Sequence, residues 1–504
     1  MGVGGVFYVT TPIYYPNDLP HIGHAYTTVF ADVLARWYRL RGYDVFFLTG
    51  TDEHGLKLQR AAEKKGVKPK EFVDRMVPEF KKYWRLLEIS YDRFIRTTDA
   101  DHEEVVKRAL EKLYSKGLIY RGTYRGWYCS SCEKFYSEGE YEEVDGRKVC
   151  PIHKKDLEWV EEETYFLKLS AYEDEVLRLV RDTDIVHPRG YAREIASKLE
   201  KEGLRDLSIA RPKSRVYWGV ELPFDRDYVV YVWIDALLNY VTGVGYGEDG
   251  RFEKYWPAVH HVIGKDILWF HTAIWFAVLR MLDIPPPRRV LVHAFIINRG
   301  LKMGKSMGNV VMIDDMLERY GSADAVRYIL MRLLNLEKDV EFDAEQLDNM
   351  YNGELADTYG NLVRRLGVLS RKKLGGVVRR GELDEELKEL AEETVKVVPR
   401  LVESYEVSEG LVRTFDLLRA VNAYLNRTEP WKAENPEPIL YNAIETTRIA
   451  TTLLHPVLPT VTRKVAESLG FEIVRIDDLR YGEPEKFRVK EAPILFKKVK
   501  PNSR

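Results

Sequence analysis

The chain has 504 residues, of which 45% are hydrophobic and 31% are charged, and its net charge is −2. This length predicts two to four domains, and the near-neutral charge excludes a nucleic-acid partner that binds through overall basicity, so any such site must be a local patch. Because no apolar run of about 18 residues and no basic-then-apolar leader occurs, we expect no membrane partner and a cytoplasmic location.

The chain begins with alternating strand and helix patterns. Residues 6–9 predict a buried strand, a Pro-rich loop covers 11–20, and apolar residues at helical spacing predict a helix that ends at Gly42. A second strand is predicted at 45–48. This βαβ unit predicts a parallel sheet of Rossmann type, with ligands at the carboxyl ends of its strands.

The same pattern returns late in the chain, with predicted strands at 259–263 and 290–295 on either side of a helix at 267–281. The sheet is therefore expected to be split by an insertion. After about 345, long segments rich in Leu, Ala, Glu and Arg predict an all-helical bundle, broken near 375–376.

These patterns together predict an α/β fold with a helical end. We expect a Rossmann-type domain whose first half spans 1–115 and whose second half spans 221–345, a connective insertion at 116–220, and a helical bundle at 346–504.

His21-Ile22-Gly23-His24 stands at the start of the first predicted helix. Residues three apart share a helix face, so both imidazoles lie beside the unpaired N–H groups of the first turn, and each can donate a hydrogen bond to a phosphate oxygen. Gly23 permits a ligand to approach closely. The pattern indicates a phosphate site, although two ordinary loop histidines remain the alternative.

Lys302 and Lys305 lie three residues apart in a Gly-rich segment that follows a predicted strand. A flexible loop with two ammonium groups suits a leaving pyrophosphate. A solvated basic loop is the alternative, and the histidine motif in the same chain argues against it.

All three cysteines lie in two short pairs, Cys129-Ser130-Ser131-Cys132 and Cys150-Pro151-Ile152-His153. A C-x2-C pair with a C-x2-H pair supplies four soft ligands, which predicts one closed, tetrahedral, structural Zn²⁺ site. Three unrelated buried cysteines are the alternative.

The histidine and lysine motifs, in this order and at this separation, resemble the paired signatures of class I aminoacyl-tRNA synthetases, with Gly304 where the family usually has serine. Residues 10–15, 231–236 and 264–271 resemble the methionine-specific members. The resemblance implies a methionine–tRNA ligase that forms methionyl-adenylate from L-methionine and ATP with Mg²⁺, and transfers methionine to the 3′-terminal adenosine of tRNA(Met).

The resemblance also assigns residues to each substrate. ATP would be bound by His21, Gly23, His24, Gly264, Asp266, Lys302 and Lys305, with the two histidines and two lysines as the catalytic residues. Methionine would be bound by Ile13, Tyr15, Asp52, Trp233, Ala236, Leu237, Tyr240, Ile267 and His271. Of these, Asp52 would bind the ammonium group. The anticodon would be read by Asn361, Arg365 and Trp431.

Each assigned residue has a structural alternative when it is taken alone. Asp52 could equally be a helix N-cap. The aromatic residues could be part of the hydrophobic core, and Trp431 could cover the core of the helical bundle. Similar zinc knuckles in the methionine-specific members imply that the metal stiffens the insertion. In a cysteine-specific synthetase, by contrast, the zinc would hold the thiol of the substrate. No appended dimerising module follows the helical segment, which predicts a monomer.

Two further functions are compatible with parts of the pattern. A nucleotidylyltransferase acting on a small molecule would use the histidine motif but has no use for the helical end or the cysteine pairs. An RNA-binding protein on a degenerate synthetase scaffold is expected to lose the histidines or lysines, and all four are present.

Overall fold

A computed structural model describes residues 5–130, 134–136, 139–152, 154–248, 250–303 and 308–500 of the chain. Its strands are β1 (Val6–Tyr14), β2 (Asp44–Thr51), β3 (Arg93–Arg96), β4 (Ile119–Cys129), β5 (Lys134–Tyr136), β6 (Glu142–Val144), β7 (Arg147–Val149), β8 (Glu158–Leu167), β9 (Val186–His187), β10 (Leu207–Ser208), β11 (Ala210–Pro212), β12 (Glu221–Leu222), β13 (Asp225–Val230), β14 (Val259–Gly264), β15 (Arg289–His293), β16 (Ile296–Asn298), β17 (Leu301–Lys302), β18 (Val340–Glu341), β19 (Val377–Arg379) and β20 (Lys486–Arg488).

The α-helices are α1 (Ile22–Leu40), α2 (Leu56–Lys64), α3 (Pro69–Leu86), α4 (Ala100–Ser115), α5 (Glu173–Asp182), α6 (Arg189–Glu202), α7 (Val232–Leu237), α8 (Asn239–Thr242), α9 (Arg251–Tyr255), α10 (Trp275–Met281), α11 (Ile313–Tyr320), α12 (Ala323–Arg332), α13 (Ala344–Met350), α14 (Asn361–Leu374), α15 (Glu385–Glu403), α16 (Val407–Thr428), α17 (Glu437–Leu454) and α18 (Pro459–Leu469). None of the described helices combines the length and the apolar composition that a membrane span requires.

The centre of the fold is a six-stranded sheet in the order β3-β2-β1-β14-β15-β9, in which every pairing is parallel. The predicted parallel sheet is confirmed. The strand order changes direction between β1 and β14, because β2 and β3 lie on one side of β1 and the later strands lie on the other. This switch opens a crevice at the carboxyl ends of β1 and β14.

Alternate residues of the central strands enter two separate cores. In β1, Phe7 and Val9 pack into a cluster that contains α1, whereas Tyr8 packs into a second cluster that contains α10. Both faces of the sheet are therefore covered, as is typical of parallel sheets, and every residue of β14 is buried.

Strand β1 is longer than the sequence suggested, because the predicted loop at 11–20 begins as extended chain up to Tyr14. The pairing with β2 shifts between Thr10 and Ile13, where Pro12 has no N–H to donate. The Thr11 hydroxyl bonds to the Thr49 hydroxyl (2.7 Å) and keeps the two strands together past this shift. The strand therefore carries Ile13 to the edge of the crevice.

The segment at 116–220 forms mainly an antiparallel sheet in the order β10-β8-β4-β5. Its strand β9 pairs instead with β15, Val186 opposite Val290, and closes one edge of the central sheet. The domain boundaries drawn from the sequence stay a prediction.

Between Ala344 and Leu469 the described chain is largely helical, with α14 ending at Leu374 and Gly375 in the left-handed region (φ +62°) as expected. A short antiparallel pair, β19 with β20, was not expected. The apolar cluster around α1 continues through α12 into these helices. At the far end of α1, Arg41 bonds to Glu403 of α15 and to Asp477 (3.1 Å).

Candidate active site

The two histidines of the first motif cap helix α1, which begins at Ile22. Gly23 N–H donates to Nδ1 of His21 (3.0 Å), and His21 N–H donates to Nδ1 of His24 (3.1 Å). A ring nitrogen that accepts carries no proton, so each neutral imidazole holds its proton on Nε2. The cap thus selects the tautomer whose outer nitrogen donates a hydrogen bond.

The His21 ring lies close against Gly23. A Cβ at this position would lie 2.7 Å from Cε1 of His21, closer than real contacts allow. The ring centroids of His21 and His24 are 4.1 Å apart, and the Tyr14 ring lies edge-on to His24 at 5.0 Å. The predicted close approach of a ligand at Gly23 stays a prediction, and the structure adds the nearby His21 ring as a second reason for glycine here.

The lysine motif is described up to Met303, so Lys302 has a defined position and Lys305 lies outside the described residues. Nζ of Lys302 is 2.6 Å from Oδ2 of Asp266 and 4.4 Å from the Phe295 ring centroid. Although burial raises it, the Lys302 ammonium lowers the pKa of Asp266 below its usual value. The structure therefore brings together two residues assigned to ATP.

The segment that carries Lys302 is a hairpin of β16 and β17. Backbone N–H groups of Arg299 and Gly300 at its tip donate to the Glu341 carboxylate (2.6 and 3.2 Å). The Asn309 amide donates to the carbonyl oxygens of Asn298 (3.0 Å) and Lys302 (3.2 Å). These bonds hold both ends of the loop that contains the second motif.

Gly264 ends β14, and a Cβ there would lie 2.8 Å from Oδ1 of Asp266. This close approach lets Asp266 reach the crevice directly after the strand. Asp52 follows β2 on the neighbouring side, is buried, and donates its N–H to the Tyr14 carbonyl oxygen (2.9 Å). The sheet edge thus gathers carboxylates from two strands, as the parallel topology requires.

Two of the residues assigned to the methionine side chain, Tyr240 and His271, bond to each other. The Tyr240 hydroxyl donates to Nε2 of His271 (2.7 Å), whose Nδ1–H donates to the Ile267 carbonyl oxygen (3.0 Å). Burial lowers the pKa of His271 to about 4, so this imidazole is neutral at pH 7. Burial is the chief cause that raises the pKa of Tyr240, and the Tyr14 and Asp52 groups raise it further.

Trp233 stacks on Phe270, with ring centroids 3.9 Å apart and an interplanar angle of 6°. Its ring lies edge-on to His271 at 6.1 Å. Ala236 and Leu237 are buried on the same short helix, α7. Three other residues assigned to methionine are half-buried and pack on the apolar cluster that contains Tyr240: Ile13, Tyr15 and Ile267.

The sequence did not predict the residues that pack against the Tyr240 ring, of which His261 is the centre. The ring of His261 lies 4.2 Å from the Tyr240 ring, its Nδ1 is 2.8 Å from the Thr10 hydroxyl, and its Nε2 accepts from Nε1–H of Trp275 (3.2 Å). Burial lowers the pKa of His261 well below its usual value. Two adjacent histidines in an apolar strand were the available signal.

Cys129 and Cys150 are both buried, in one small cluster with Tyr136 and Leu157. The Tyr136 hydroxyl is 3.3 Å from Sγ of Cys150. Their predicted partners Cys132 and His153 lie outside the described residues. Within the described residues no group of three or more His, Cys, Asp or Glu side chains forms a metal site.

Two residues assigned to the anticodon meet in the helical segment. The Arg365 guanidinium lies 4.8 Å from the Trp431 ring centroid and donates to the Asn426 amide oxygen (3.0 Å). Asn361, one turn earlier on α14, is exposed and donates to Asp357 (3.0 Å). An aromatic face and polar groups therefore stand side by side at this surface.

Comparison with known proteins agrees with the motifs. A family model described as tRNA synthetases class I (M) matches residues 7–367. A methionine–tRNA ligase of Caldanaerobacter subterraneus subsp. tengcongensis is 43% identical over 98% of this chain and 79% of its own length. The enzyme of Thermotoga maritima is 41% identical over 92% and 75%.

Two solved structures of methionyl-tRNA synthetase from Mycobacterium tuberculosis share the fold. The form bound by methionyl-adenylate is 37% identical with a TM-score of 0.92, covering 98% of this chain and 100% of that one. The apo form is 34% identical with a TM-score of 0.84, covering 99% of each. The resemblance seen in the sequence is confirmed, and the chain belongs to the methionine–tRNA ligase family of class I tRNA synthetases.

Proposed function

We propose that this chain is a methionine–tRNA ligase, which activates L-methionine with ATP and transfers it to the 3′-terminal adenosine of tRNA(Met). The observation that carries the proposal is the meeting of two sets of residues at one edge of the sheet. His21 and His24 begin α1 there, after β1, and Asp266 follows β14. The hydrogen-bonded pair Tyr240–His271 lies close by, because Nδ1–H of His271 donates to the carbonyl oxygen of Ile267, the residue after Asp266.

Methionine activation needs positioning more than acid–base chemistry. The carboxylate of an amino acid is ionised at neutral pH (pKa roughly 3.5) and attacks the α-phosphorus unaided. A new O–P bond forms, the bond to the bridging oxygen breaks, and pyrophosphate leaves with the electron pair. Nε2–H of His21 and His24, with the ammonium groups of Lys302 and Lys305, are proposed to meet the charge that develops on the phosphate oxygens.

Mg²⁺ enters with ATP as part of the substrate and offsets charge on the pyrophosphate oxygens. Asp266 is the proposed acceptor for a ribose hydroxyl. In the structure Lys302 occupies its Oδ2 (2.6 Å), so ATP must share or displace this ion pair when it binds.

The pocket suits an uncharged, polarizable side chain. Neutral His271 and the Trp233 and Tyr240 rings are proposed to surround the thioether, whose sulfur makes favourable contacts with aromatic rings. Asp52 is proposed to bind the ammonium group. Because one methylene is worth only about 1–3 kcal/mol in such a pocket, homocysteine is the expected competitor.

In the second step a ribose hydroxyl of the terminal adenosine attacks the carbonyl carbon of the adenylate. An ester bond forms, the bond to AMP breaks, and the hydroxyl proton is released. AMP and methionyl-tRNA are the products.

Amino-acid-dependent exchange of pyrophosphate into ATP, measured with all twenty amino acids, tests the proposal without tRNA. Exchange with methionine is the expected result. Exchange with another amino acid would overturn the pocket assignment, product formation without any amino acid would indicate a nucleotidylyltransferase, and no exchange would indicate an RNA-binding role.

We also propose that Cys129, Cys132, Cys150 and His153 hold one structural Zn²⁺ ion. The donor set is of the kind that zinc prefers, and burial of Cys129 and Cys150 in one cluster is consistent with it. The ion would stiffen the part of the insertion around Cys129 and Cys150, whose own apolar cluster is small.

Metal analysis of the purified protein is expected to find about one zinc ion per chain. Replacing Cys150 by serine is expected to release the zinc, because serine is a poor zinc ligand, and to lower the melting temperature of the insertion. Leu157→Ala, in the same cluster, is the matched control that should destabilise the insertion and keep the metal. A zinc-free protein with an unchanged melting temperature would refute the site.

Exposed Asn361 and half-buried Arg365 and Trp431 are proposed to bind the anticodon. Unpaired bases are recognised by stacking on aromatic rings and by hydrogen bonds to their edges. Arg365 already lies against Trp431, so a base can stack where the guanidinium now contacts the ring.

Replacing Trp431 by alanine is expected to lower kcat/KM for tRNA roughly 5- to 150-fold, since stacking of one base contributes about 1–3 kcal/mol. Methionine-dependent exchange should stay unchanged. Leu86→Ala, an exposed change at the end of α3 and away from the helical segment, is the control and should affect neither assay. Loss of exchange in Trp431→Ala would refute the assignment.

A further inference from the structure

A buried carboxylate lies between two histidines beside the methionine pocket. Asp235 of α7 is 1% exposed. Its Oδ2 is 2.7 Å from Nδ1 of His54, and its Oδ1 is 2.8 Å from Nε2 of His102 in α4. His102 also reaches the Thr242 hydroxyl through Nδ1 (3.1 Å). Each oxygen of the carboxylate is therefore committed to a different element of the fold.

These bonds join the two sides of the proposed pocket. His54 lies two residues after Asp52, the proposed partner of the ammonium group. Asp235 lies two residues after Trp233 and one before Ala236, which are proposed to line the side-chain end. A single hydrogen bond thus fixes the ammonium side of the pocket relative to the thioether side.

The turn that carries Asp52 is also anchored on its other flank. The Glu53 carboxylate is fully buried and accepts two hydrogen bonds from Arg96 (2.7 and 2.8 Å). The hydroxyls of Thr51 and Thr98 donate to the same carboxylate (2.6 and 2.7 Å). These bonds hold Glu53 against β3 and the turn that follows β3. The bond of His54 to Asp235 then sets the position of the Asp52 turn relative to α7.

The electrostatics support a charged, structured cluster. Burial alone would raise the pKa of Asp235, but His54 and His102 lower it to about 2, so the carboxylate is ionised at pH 7. The pKa of His54 is raised: burial lowers it, and the charge and hydrogen bond of Asp235 more than offset that effect. A buried charge with satisfied partners holds its neighbours in one arrangement.

We propose that Asp235 is a positioning residue which, through His54 and His102, sets the distance between the Asp52 turn and helix α7 that methionine requires. This inference rests on the proposed function and assigns no direct contact with substrate to Asp235. Its signature is a loss of methionine affinity with little change in ATP affinity.

The test compares KM for methionine, KM for ATP and kcat of pyrophosphate exchange in Asp235→Asn, His54→Asn and His54→Leu. Asp235→Asn and His54→Leu are expected to raise KM for methionine roughly 10- to 100-fold, because a displacement of about 1 Å at a site has effects of this size. KM for ATP should stay within about twofold. His54→Asn places an amide donor near the position of Nδ1 and should recover most of the methionine affinity.

Glu445→Gln is the matched control, since Glu445 and Arg448 form a buried ion pair (2.8 Å) within α17, in the helical segment. It should lower the melting temperature and leave KM for methionine unchanged. Equal rises in both KM values, or an unchanged KM for methionine in His54→Leu, would overturn the positioning role. Absence of methionine-dependent exchange in the unmodified protein would instead overturn the proposed function.

Discussion

Replacing His24 by alanine is expected to slow methionine-dependent pyrophosphate exchange about 100- to 1,000-fold, the effect of removing one aligned donor from a developing oxyanion. The cap places the ring proton on Nε2, because Nδ1 of His24 accepts from His21 N–H (3.1 Å). Alanine removes that donor together with the cap. The tRNA affinity of the variant, measured by filter binding, should be nearly unchanged.

The loss of the cap is separated from the loss of the donor by a second variant, His24→Gln. Glutamine three residues into a helix is a normal capping-box partner, so its amide oxygen can accept from His21 N–H. The melting temperature should therefore recover relative to His24→Ala, whose lost cap costs about 0.5–2 kcal/mol. If exchange in His24→Ala stayed close to that of the unmodified protein, the phosphate role would be withdrawn.

Replacing Arg327 by methionine is expected to lower the free energy of unfolding by about 3–5 kcal/mol, because the buried Asp32 carboxylate loses this ion-pair partner. Arg327 is fully buried, lies 2.7 Å from Asp32, and donates to the carbonyl oxygens of Leu87, Pro456 and Val457 (3.1, 2.8 and 3.0 Å). The side chain thereby joins α1 to the loop before α18. Calorimetry should show a lower melting temperature.

The charge contribution to this effect is tested with the double variant Arg327→Met, Asp32→Asn. Although burial raises it, Arg327 and Arg36 lower the pKa of Asp32 below its usual value. The contribution is therefore present above the unfolded-state pKa near 4 and is lost as pH falls through the folded-state pKa. The double variant should be more stable than Arg327→Met alone, and equal melting temperatures of Arg327→Met and the unmodified protein would contradict the account.

The central sheet and the position of His21 and His24 at the start of α1 were predictable because they depend on local patterns. Apolar periodicity gave the strands and α1, and the spacing of His21 and His24 placed both imidazoles in the first turn of one helix. Parallel topology then required the ends of β1 and β14 to meet. The family resemblance, rather than any spacing, supplied the residues around the methionine pocket.

Contacts between distant segments could not be predicted in the same way. Nothing in an isolated strand indicates that Thr11 bonds to Thr49 and extends β1, or that His261 supports Tyr240 from below. The bond of Asp235 to His54 joins residues 181 positions apart. Such pairs depend on the folded arrangement of whole elements. Lys305, Cys132 and His153 lie outside the described residues, so their roles stay predictions.

Helix α1 has 19 residues and carries His21 and His24 at one end and the contacts of Arg41 with Glu403 and Asp477 at the other. At 1.5 Å per residue it is about 28 Å long. A tilt of roughly 2° about its far end would move the imidazoles by about 1 Å, a displacement that costs on the order of 100-fold in rate. For the phosphate chemistry proposed for His21 and His24, the anchoring of α1 at its far end therefore decides how precisely the two imidazoles are placed.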